Sequence, residues 1–328
     1  ELTYSIGGTI LTRLLQRSDA KTFHISVLVR DPAKAEKLKP FGVDPVVGSL
    51  SDLDIIETQA ALADIVIATA DCDDVEAAKA TLRGLKKRFD STGKTPIYLN
   101  TVCAMSAMTD GKFQEGTIYD DSDAEQIETL PITQMHRPVD VAITEADKEG
   151  YIKSYIVLPS VIYGLAGGPL VNAHIQNHRS IGVPLLLKNA LDRGRAGMIG
   201  PGTAVWPHVH IDELADLYML VFDGARAESI GHGREGYYFG ANGEFSWLQL
   251  AQAVGKAVVA AGRAEDPEPV SFTEEEILKY FKANGQGSRA LGTNSRCRAT
   301  RSYSIGWKPV KTTVDLLASV EPELQDML

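Results

Sequence analysis

Between residues 24 and 101 short β-branched runs alternate with longer helical segments, and this alternation constrains the fold more than any other feature. "HISVLV" (24–29), "VDPVVG" (43–48), "ADIVIATA" (63–70) and "TPIYLNT" (95–101) read as strands. The third, apolar almost throughout, reads as buried on both faces. Of the segments between them, "DPAKAEKLKPF" is a helix with Pro32 in its first turn, where a missing N–H costs little. "SDLDIIETQAAL" is a helix capped by Ser51, and "DDVEAAKATLRGLKKRF" a further helix. Ahead of them Ile10, Leu11, Leu14 and Leu15 recur at helical spacing, which predicts an amphipathic helix over 7–18. Strands joined by crossovers of this length form right-handed βαβ units, so the expected core is an α/β, doubly wound parallel sheet.

The alternation pauses at 103–135, a polar and acidic stretch that is long for a structureless connection and therefore reads as functional or partly mobile. A helix over 136–149 and the strand "IKSYIVLPS" (152–160) follow. Beyond 161 "SIGVPLLLKNALDRG" and "VHIDELADLYMLVFDG" read as helices, "GYYFGANGEFSWLQLAQAVGKAVVAAG" as strand, turn and helix, and one more helix falls near 273–283. This organisation predicts a main domain from 1–162 and 203–244, and a smaller C-terminal α/β lobe from 163–202 and 245–328. A small-molecule substrate would bind in the cleft between them.

Composition narrows the partners. A formal charge of −10 over 328 residues disfavours phosphate backbones, and the basic run "RGLKKR" at 83–88 reads as a solvated helix face, so no nucleic-acid partner is expected. No apolar stretch of about eighteen residues and no leader pattern occurs, so neither a membrane partner nor secretion is expected, and the expected location is cytoplasmic. Cys72, Cys103 and Cys297 lie far apart without metal-type spacing, which suits a reducing compartment and predicts neither disulfides nor zinc. A homodimer is compatible with all of this.

The opening "ELTYSIGGTILTRLLQ" poses a problem. A doubly wound sheet places its first strand centrally, yet "ELTYS" is too short and polar to supply that strand and its turn. Gly7 and Gly8 nevertheless open a helix whose first N–H groups could face a diphosphate. The expectation is that a strand and glycine-rich turn belong before Ile6 and are not in this sequence. The alternative is a plain helix start with incidental glycines.

"YSIGGTILTRLL", "VLVRDPAKAEKL", "VVGSLSD", "ADIVIATA", "LPSVIYG", "VWPHVHIDELADLY" and "SRCRATRSYSIGWKP" occur in this order from about Tyr4 to Pro309. Together they resemble the extended and atypical short-chain dehydrogenase/reductases, NAD(P)-binding Rossmann proteins, and especially the fungal epimerase/dehydratase and NmrA-like groups. The resemblance implies a nicotinamide coenzyme laid against Ile6 and Gly7. It places Arg30 and Asp31 at the adenosine ribose, where an arginine favours NADP over NAD, although Asp31 could pair with the arginine or serve the ribose. Ser49 and Leu50 take the place of the family's Asp-Leu beside adenine, with Ser49 replacing the acid. Ala68, Thr69 and Ala70 resemble the small-residue strand end that lets the coenzyme approach the backbone, or form a packed strand terminus. Asn100 and Thr101 end the next strand, and Pro159, Ser160 and Val161 match the strand end flanking the nicotinamide.

The family's reductases use Tyr-x-x-x-Lys and a serine. Here the corresponding helix reads "MHRPVDVAITEADKEG", with His136 at the tyrosine position and Asp140 at the lysine position, while Val102 stands at the serine position. His136 and Asp140, one turn apart, could form an acid–base pair. Alternatively His136 is a solvated residue at a capped helix start and Asp140 is salt-bridged to Arg137 or a neighbour. His208 and His210 share one face of an extended segment but lack a third metal ligand and read as a junction before a helix capped by Asp212. His174 and His178 either line the lobe or are loop residues without partners. The resemblance therefore implies an NAD(P)-dependent oxidoreductase or epimerase-like enzyme with an unusual proton donor, or alternatively an NmrA-like dinucleotide sensor without turnover.

Overall fold

A computed structural model describes residues 5–102, 116–281 and 291–328. The first half is a train of βα units: α1 (Ser5–Leu15), β1 (Ser26–Val29), α2 (Pro32–Leu38), β2 (Asp44–Val47), α3 (Leu53–Leu62), β3 (Ile65–Ala68), α4 (Val75–Thr92) and β4 (Ile97–Thr101). Then come β5 (Ile118–Asp120), α5 (Ala124–Glu128), α6 (Arg137–Lys148) and β6 (Lys153–Pro159). Pro32 does sit in the first turn of α2, whose cap is Asp31, accepting from the Ala33 N–H at 2.8 Å. The helix after β2 is entered through Asp52, not Ser51: the Ser49 hydroxyl accepts from the Ser51 N–H, so the turn folds around Ser49.

Four strands, β10 (Tyr237–Gly240), β6, β4 and β3, form a parallel sheet in that order, with Ala68 beside Asn100 and Asn100 beside Ile156. β1 and β2 form a separate parallel pair, Ser26 opposite Asp44. α1 packs against both pieces: Leu11 joins Val27 and Val29 of β1, whereas Ile10 and Leu14 join the core over β3, β4 and β6. Among the described residues this pair and the four-stranded sheet are separate. β3 is partly exposed along its length, not buried on both faces, because among the described residues it is an edge strand.

The remaining elements are β7 (Val161–Tyr163), α7 (Pro169–Asn172), α8 (Gly182–Arg193), β8 (Gly197–Met198), β9 (Val205–His210), α9 (Ile211–Arg226), β11 (Glu244–Ser246), α10 (Trp247–Ala260), β12 (Val270–Ser271), α11 (Glu274–Tyr280), β13 (Arg296–Arg298) and two last helices, Thr300–Ser304 and Thr313–Met327. A second core gathers Tyr163, Val183, Leu187, Trp206, Phe245, Leu250 and Leu316, with Trp206 edge-on to Trp247 at 5.4 Å. Trp307 instead packs with the first core, its indole N–H donating to the Glu213 carbonyl at 2.7 Å. The fold is α/β and mostly parallel. Within the acidic segment β5 pairs with β13, and buried Asp121 accepts from the backbone N–H groups of Phe239, Arg301 and Ser302. Residues 103–115 of that segment, and 282–283 of the helix expected near 273–283, lie outside the described residues.

Candidate functional site

The N-terminus of α1 and the carboxyl ends of β3, β4 and β6 carry most of the residues expected to face a ligand, which is where doubly wound sheets bind. Gly7 and Gly8 lie in the first turn of α1, and Ile6 is half-buried against the main core. A Cβ on Gly8 would overlap the Gln176 carboxamide, which donates to the Ser5 carbonyl at 2.8 Å and to the Thr9 hydroxyl at 2.9 Å. Glycine is thus required there by a close approach that the sequence did not reveal, since Gln176 is far along the chain.

Arg30 is exposed beyond the end of β1, and Asp31 spends one carboxylate oxygen on its helix cap. The backbone N–H and hydroxyl of Ser49 donate to Asp52 Oδ2 at 2.7 and 2.8 Å. These bonds hold the exposed Asp52 carboxyl below its ordinary range. A carboxylate therefore does stand beside residue 49, three residues later than the resemblance implied. Leu50 packs with Leu28 and Leu53 against Ile56 and Ala77. Ala68, Thr69 and Ala70 are half-exposed at the β3 end.

Asn100 and Thr101 are buried; the Thr101 and Tyr218 hydroxyls lie 2.6 Å apart, and Asn100 Nδ2 has no hydrogen-bond partner among the described residues. Pro159 pairs with Gly240, Ser160 donates its hydroxyl to the Gly240 carbonyl at 2.7 Å, and Val161 starts β7. Val102 is wholly buried, its N–H donating to the Val157 carbonyl at 2.9 Å, so it is a core residue.

His136 precedes α6 in the left-handed region, φ 69°, and is only 5% exposed. Its carboxylate partner is Asp73, in the loop between β3 and α4: Asp73 Oδ1 lies 2.7 Å from His136 Nδ1 and 3.1 Å from its backbone N. A carboxylate oxygen only accepts, so Nδ1 carries the proton and Nε2 the lone pair of the neutral ring. Nε2 is buried without a partner among the described residues. Cys72 Sγ lies 3.2 Å from the same Nδ1. The expected pairing with Asp140 is thus replaced, and the alternative of a solvated His136 is overturned by its burial.

Asp140, 1% exposed, has one oxygen without a partner among the described residues, and burial pushes its pKa up to about 8, with Arg137 opposing and Asp73 reinforcing the shift. Arg137 donates to the Tyr237 hydroxyl at 3.0 Å. Asp73 and Cys72 are the site residues that sequence reasoning missed: neither has motif spacing to His136, and only the crossover brings them together.

The other histidines are placed structurally. His208 bonds the Thr313 hydroxyl at 2.9 Å, and burial pushes its pKa down to about 4. His210, not Asp212, caps α9: its Nδ1 accepts from the Asp212 N–H at 3.3 Å, because β9 runs on to residue 210. His178 has a partner after all, Asp326 at 2.7 Å, while His174 takes a left-handed turn conformation, φ 54°. Among the described residues no helix is long and apolar enough to cross a membrane.

No family model matches the chain. In sequence it is similar to the oxidase ucsJ of an Acremonium species, 26% identical over a 333-residue alignment covering 93% of this chain and 90% of that protein. An uncharacterized protein of Schizosaccharomyces pombe is 26% identical over 325 residues, covering 94% and 93%. Among solved structures, UDP-glucose 4-epimerase of Thermotoga maritima with UDP-glucose superposes with a TM-score of 0.64 at 14% identity, covering 98% of this chain and 96% of that one. UDP-glucuronic acid 4-epimerase of Bacillus cereus, in complex with UDP-glucuronic acid and NAD, gives 0.65 at 11% identity, covering 99% and 97%. dTDP-glucose 4,6-dehydratase of Bacillus anthracis, in complex with NAD, gives 0.60 at 13% identity, covering 98% and 92%.

Proposed function

Because the chain carries the fold of the Rossmann-type epimerases and dehydratases over nearly its whole length, we propose that it is an NAD(P)-dependent enzyme, an atypical short-chain dehydrogenase/reductase acting by hydride transfer on a small organic substrate. The observation that carries this reading is a buried histidine, His136, held by the Asp73 carboxylate of the loop that follows β3, in a parallel sheet whose strands β3, β4 and β6 end at Ala68, Thr101 and Pro159.

The coenzyme's residues are those the site offers by position. The first turn of α1 at Ile6 and Gly7 would meet the diphosphate with its N–H groups. Arg30 would meet a 2′-phosphate, which makes NADP the preferred coenzyme, with Asp31 beside it. Ser49 and the Asp52 carboxylate stand on the adenine side, and Ala68 to Ala70, Asn100, Thr101, Pro159 and Val161 on the side of the nicotinamide half. When bound, the coenzyme supplies the hydride chemistry.

His136 is the group that moves the proton. Asp73 fixes Nδ1–H, so Nε2 is the acceptor in the neutral ring and the donor when the ring is charged. Asp140, a turn further along α6, is held neutral up to about pH 8 by burial and lies with Asp73 and Arg137 in the same electrostatic environment.

The test is fluorescence titration of NADPH and NADH, followed by nicotinamide absorbance with a panel of carbonyl compounds. Tighter NADPH binding and turnover lost in His136→Ala support the reading; failure of both coenzymes to bind sinks it. The buried Val102 in place of a catalytic serine favours a second reading, a dinucleotide sensor of the NmrA-like kind, and binding without turnover of any substrate would select it.

A further inference from the structure

Three chemically different donor atoms meet beside β3. Cys72, Asp73 and His136 each bring one ligand atom within 4.8 Å of the others, with 2.7 Å between His136 Nδ1 and Asp73 Oδ1 and 3.2 Å between Nδ1 and Cys72 Sγ. We propose that Cys72, Asp73 and His136 form a binding site for one zinc-like divalent cation.

The convergence on a single ring nitrogen decides between the two chemistries such a trio could serve. In a nucleophilic cysteine–histidine–carboxylate relay the thiol and the carboxylate engage opposite nitrogens of the imidazole, so that a proton can pass across the ring. Here both address Nδ1, and Nε2 contacts neither. Three donor groups within 4.8 Å of one another can chelate one ion.

The donor set then selects the ion. A thiolate, an imidazole and one carboxylate oxygen suit zinc, which takes three protein ligands with a fourth position open, and they do not suit calcium or magnesium, which take oxygen ligands. With Zn–N of about 2.0 Å and Zn–S of about 2.3 Å, a tetrahedral ion holds its donors roughly 3.3–3.7 Å apart. The Nδ1–Oδ1 and Nδ1–Sγ separations of 2.7 and 3.2 Å need to open by only about half an ångström. Asp73, 48% exposed, is free to make that movement and gives the ion a route from solvent, while His136 forms the buried wall.

Proton balance is explicit. The cation takes the Cys72 sulfur as thiolate, releasing one proton, and takes the Nδ1 lone pair, so the ring proton moves to Nε2. In the metal-free chain Nε2 is the acceptor; with the cation bound it is the donor. A cation would therefore set the direction in which His136 can move a proton. The site itself stands on geometry alone, and its test needs neither coenzyme nor turnover.

Chelator-treated protein is titrated with Co²⁺, followed by absorbance, and the Co²⁺ is then displaced by Zn²⁺. The expected result is one equivalent per chain, with a thiolate-to-cobalt charge-transfer band and the intense visible bands of a tetrahedral ion. Cys72→Ser removes the charge-transfer band, and Asp73→Asn, at a half-exposed position, weakens Zn²⁺ binding by at least the roughly 10–100-fold that loss of an outer-shell partner costs. Cys297→Ser leaves both unchanged. Absence of a thiolate band, or a band that persists in Cys72→Ser, overturns the proposal, as does Zn²⁺ affinity indifferent to Asp73→Asn.

Discussion

His136 takes Asp73 as its carboxylate partner, Nδ1 to Oδ1 at 2.7 Å, across the gap between the β3–α4 loop and the start of α6. The same oxygen accepts the His136 backbone N–H at 3.1 Å, which helps hold a non-glycine residue at φ 69°. If this pair orients the ring for proton transfer, Asp73→Asn lowers kcat by roughly 10–100-fold and His136→Ala by about 10²–10⁴-fold, while coenzyme Kd changes little. Single-turnover kinetics with the best reduced coenzyme checks both. Equal loss in coenzyme binding would assign the residues to scaffolding.

Asp140 makes stability depend on pH with a definite sign. Its folded pKa, raised from 3.8 to about 8, lies above the unfolded value, so folding favours the protonated form. Its contribution is intact below about pH 4 and is lost progressively as pH rises to about 8, at up to about 1.4 kcal/mol per pH unit. Asp140→Asn, which mimics the neutral acid, should gain in Tm over the parent between pH 5 and 8 and hold a constant lead above that. A lead that shrinks with rising pH contradicts the assignment. The comparison belongs to chelator-treated protein, since a cation near Asp73 would relieve part of the repulsion.

The βα train from α1 to β4 was legible because it rests on local periodicity: Pro32 opens α2, and Ile10 and Leu14 face the core as their spacing requires. What was not legible depends on chain crossing. Asp73 and His136 are separated by α4, β4 and a long segment, and nothing in "DCDD" announces that one of its carboxylates turns towards an imidazole. Likewise the His210 cap follows from how far β9 runs, which Asp212 in the sequence concealed. The partial exposure of β3 follows from its having, among the described residues, a neighbour on one side, a property of the sheet and not of the apolar run itself.

Asp121 illustrates how a polar residue in the acidic segment can be structural. Its carboxylate accepts the N–H of Phe239 at 2.9 Å, of Arg301 at 2.6 Å and of Ser302 at 3.2 Å, tying the segment to β10 and to the helix Thr300–Ser304. Burial raises its pKa to about 6 although every one of those donors lowers it, so desolvation wins. Asp121→Ala strands buried backbone donors, each costing about 1–3 kcal/mol, and should lower stability by roughly 3–5 kcal/mol in urea unfolding. A loss under about 1 kcal/mol would mean that water replaces the carboxylate.

Gly84 tests helix propensity against packing. It lies within α4, and in an exposed helix Gly→Ala stabilises by about 1 kcal/mol. A Cβ at this position, however, would overlap the Glu57 carbonyl oxygen and come 2.6 Å from Ala60 Cβ on α3. Both are parts of rigid helix and cannot swing aside, so α3 and α4 must separate, and overpacking of this kind costs about 1–3 kcal/mol. Burial of Ala60 and Ala80 at the same helix pair leaves little slack to absorb the shift. Packing outweighs propensity, and Gly84→Ala should lower the urea midpoint. An exposed control, Ser91→Ala, whose hydroxyl bonds only its own helix through the Arg88 carbonyl, should stay within about 0.5 kcal/mol of the parent. A Gly84→Ala variant as stable as that control would show that the α3–α4 spacing yields to a methyl group.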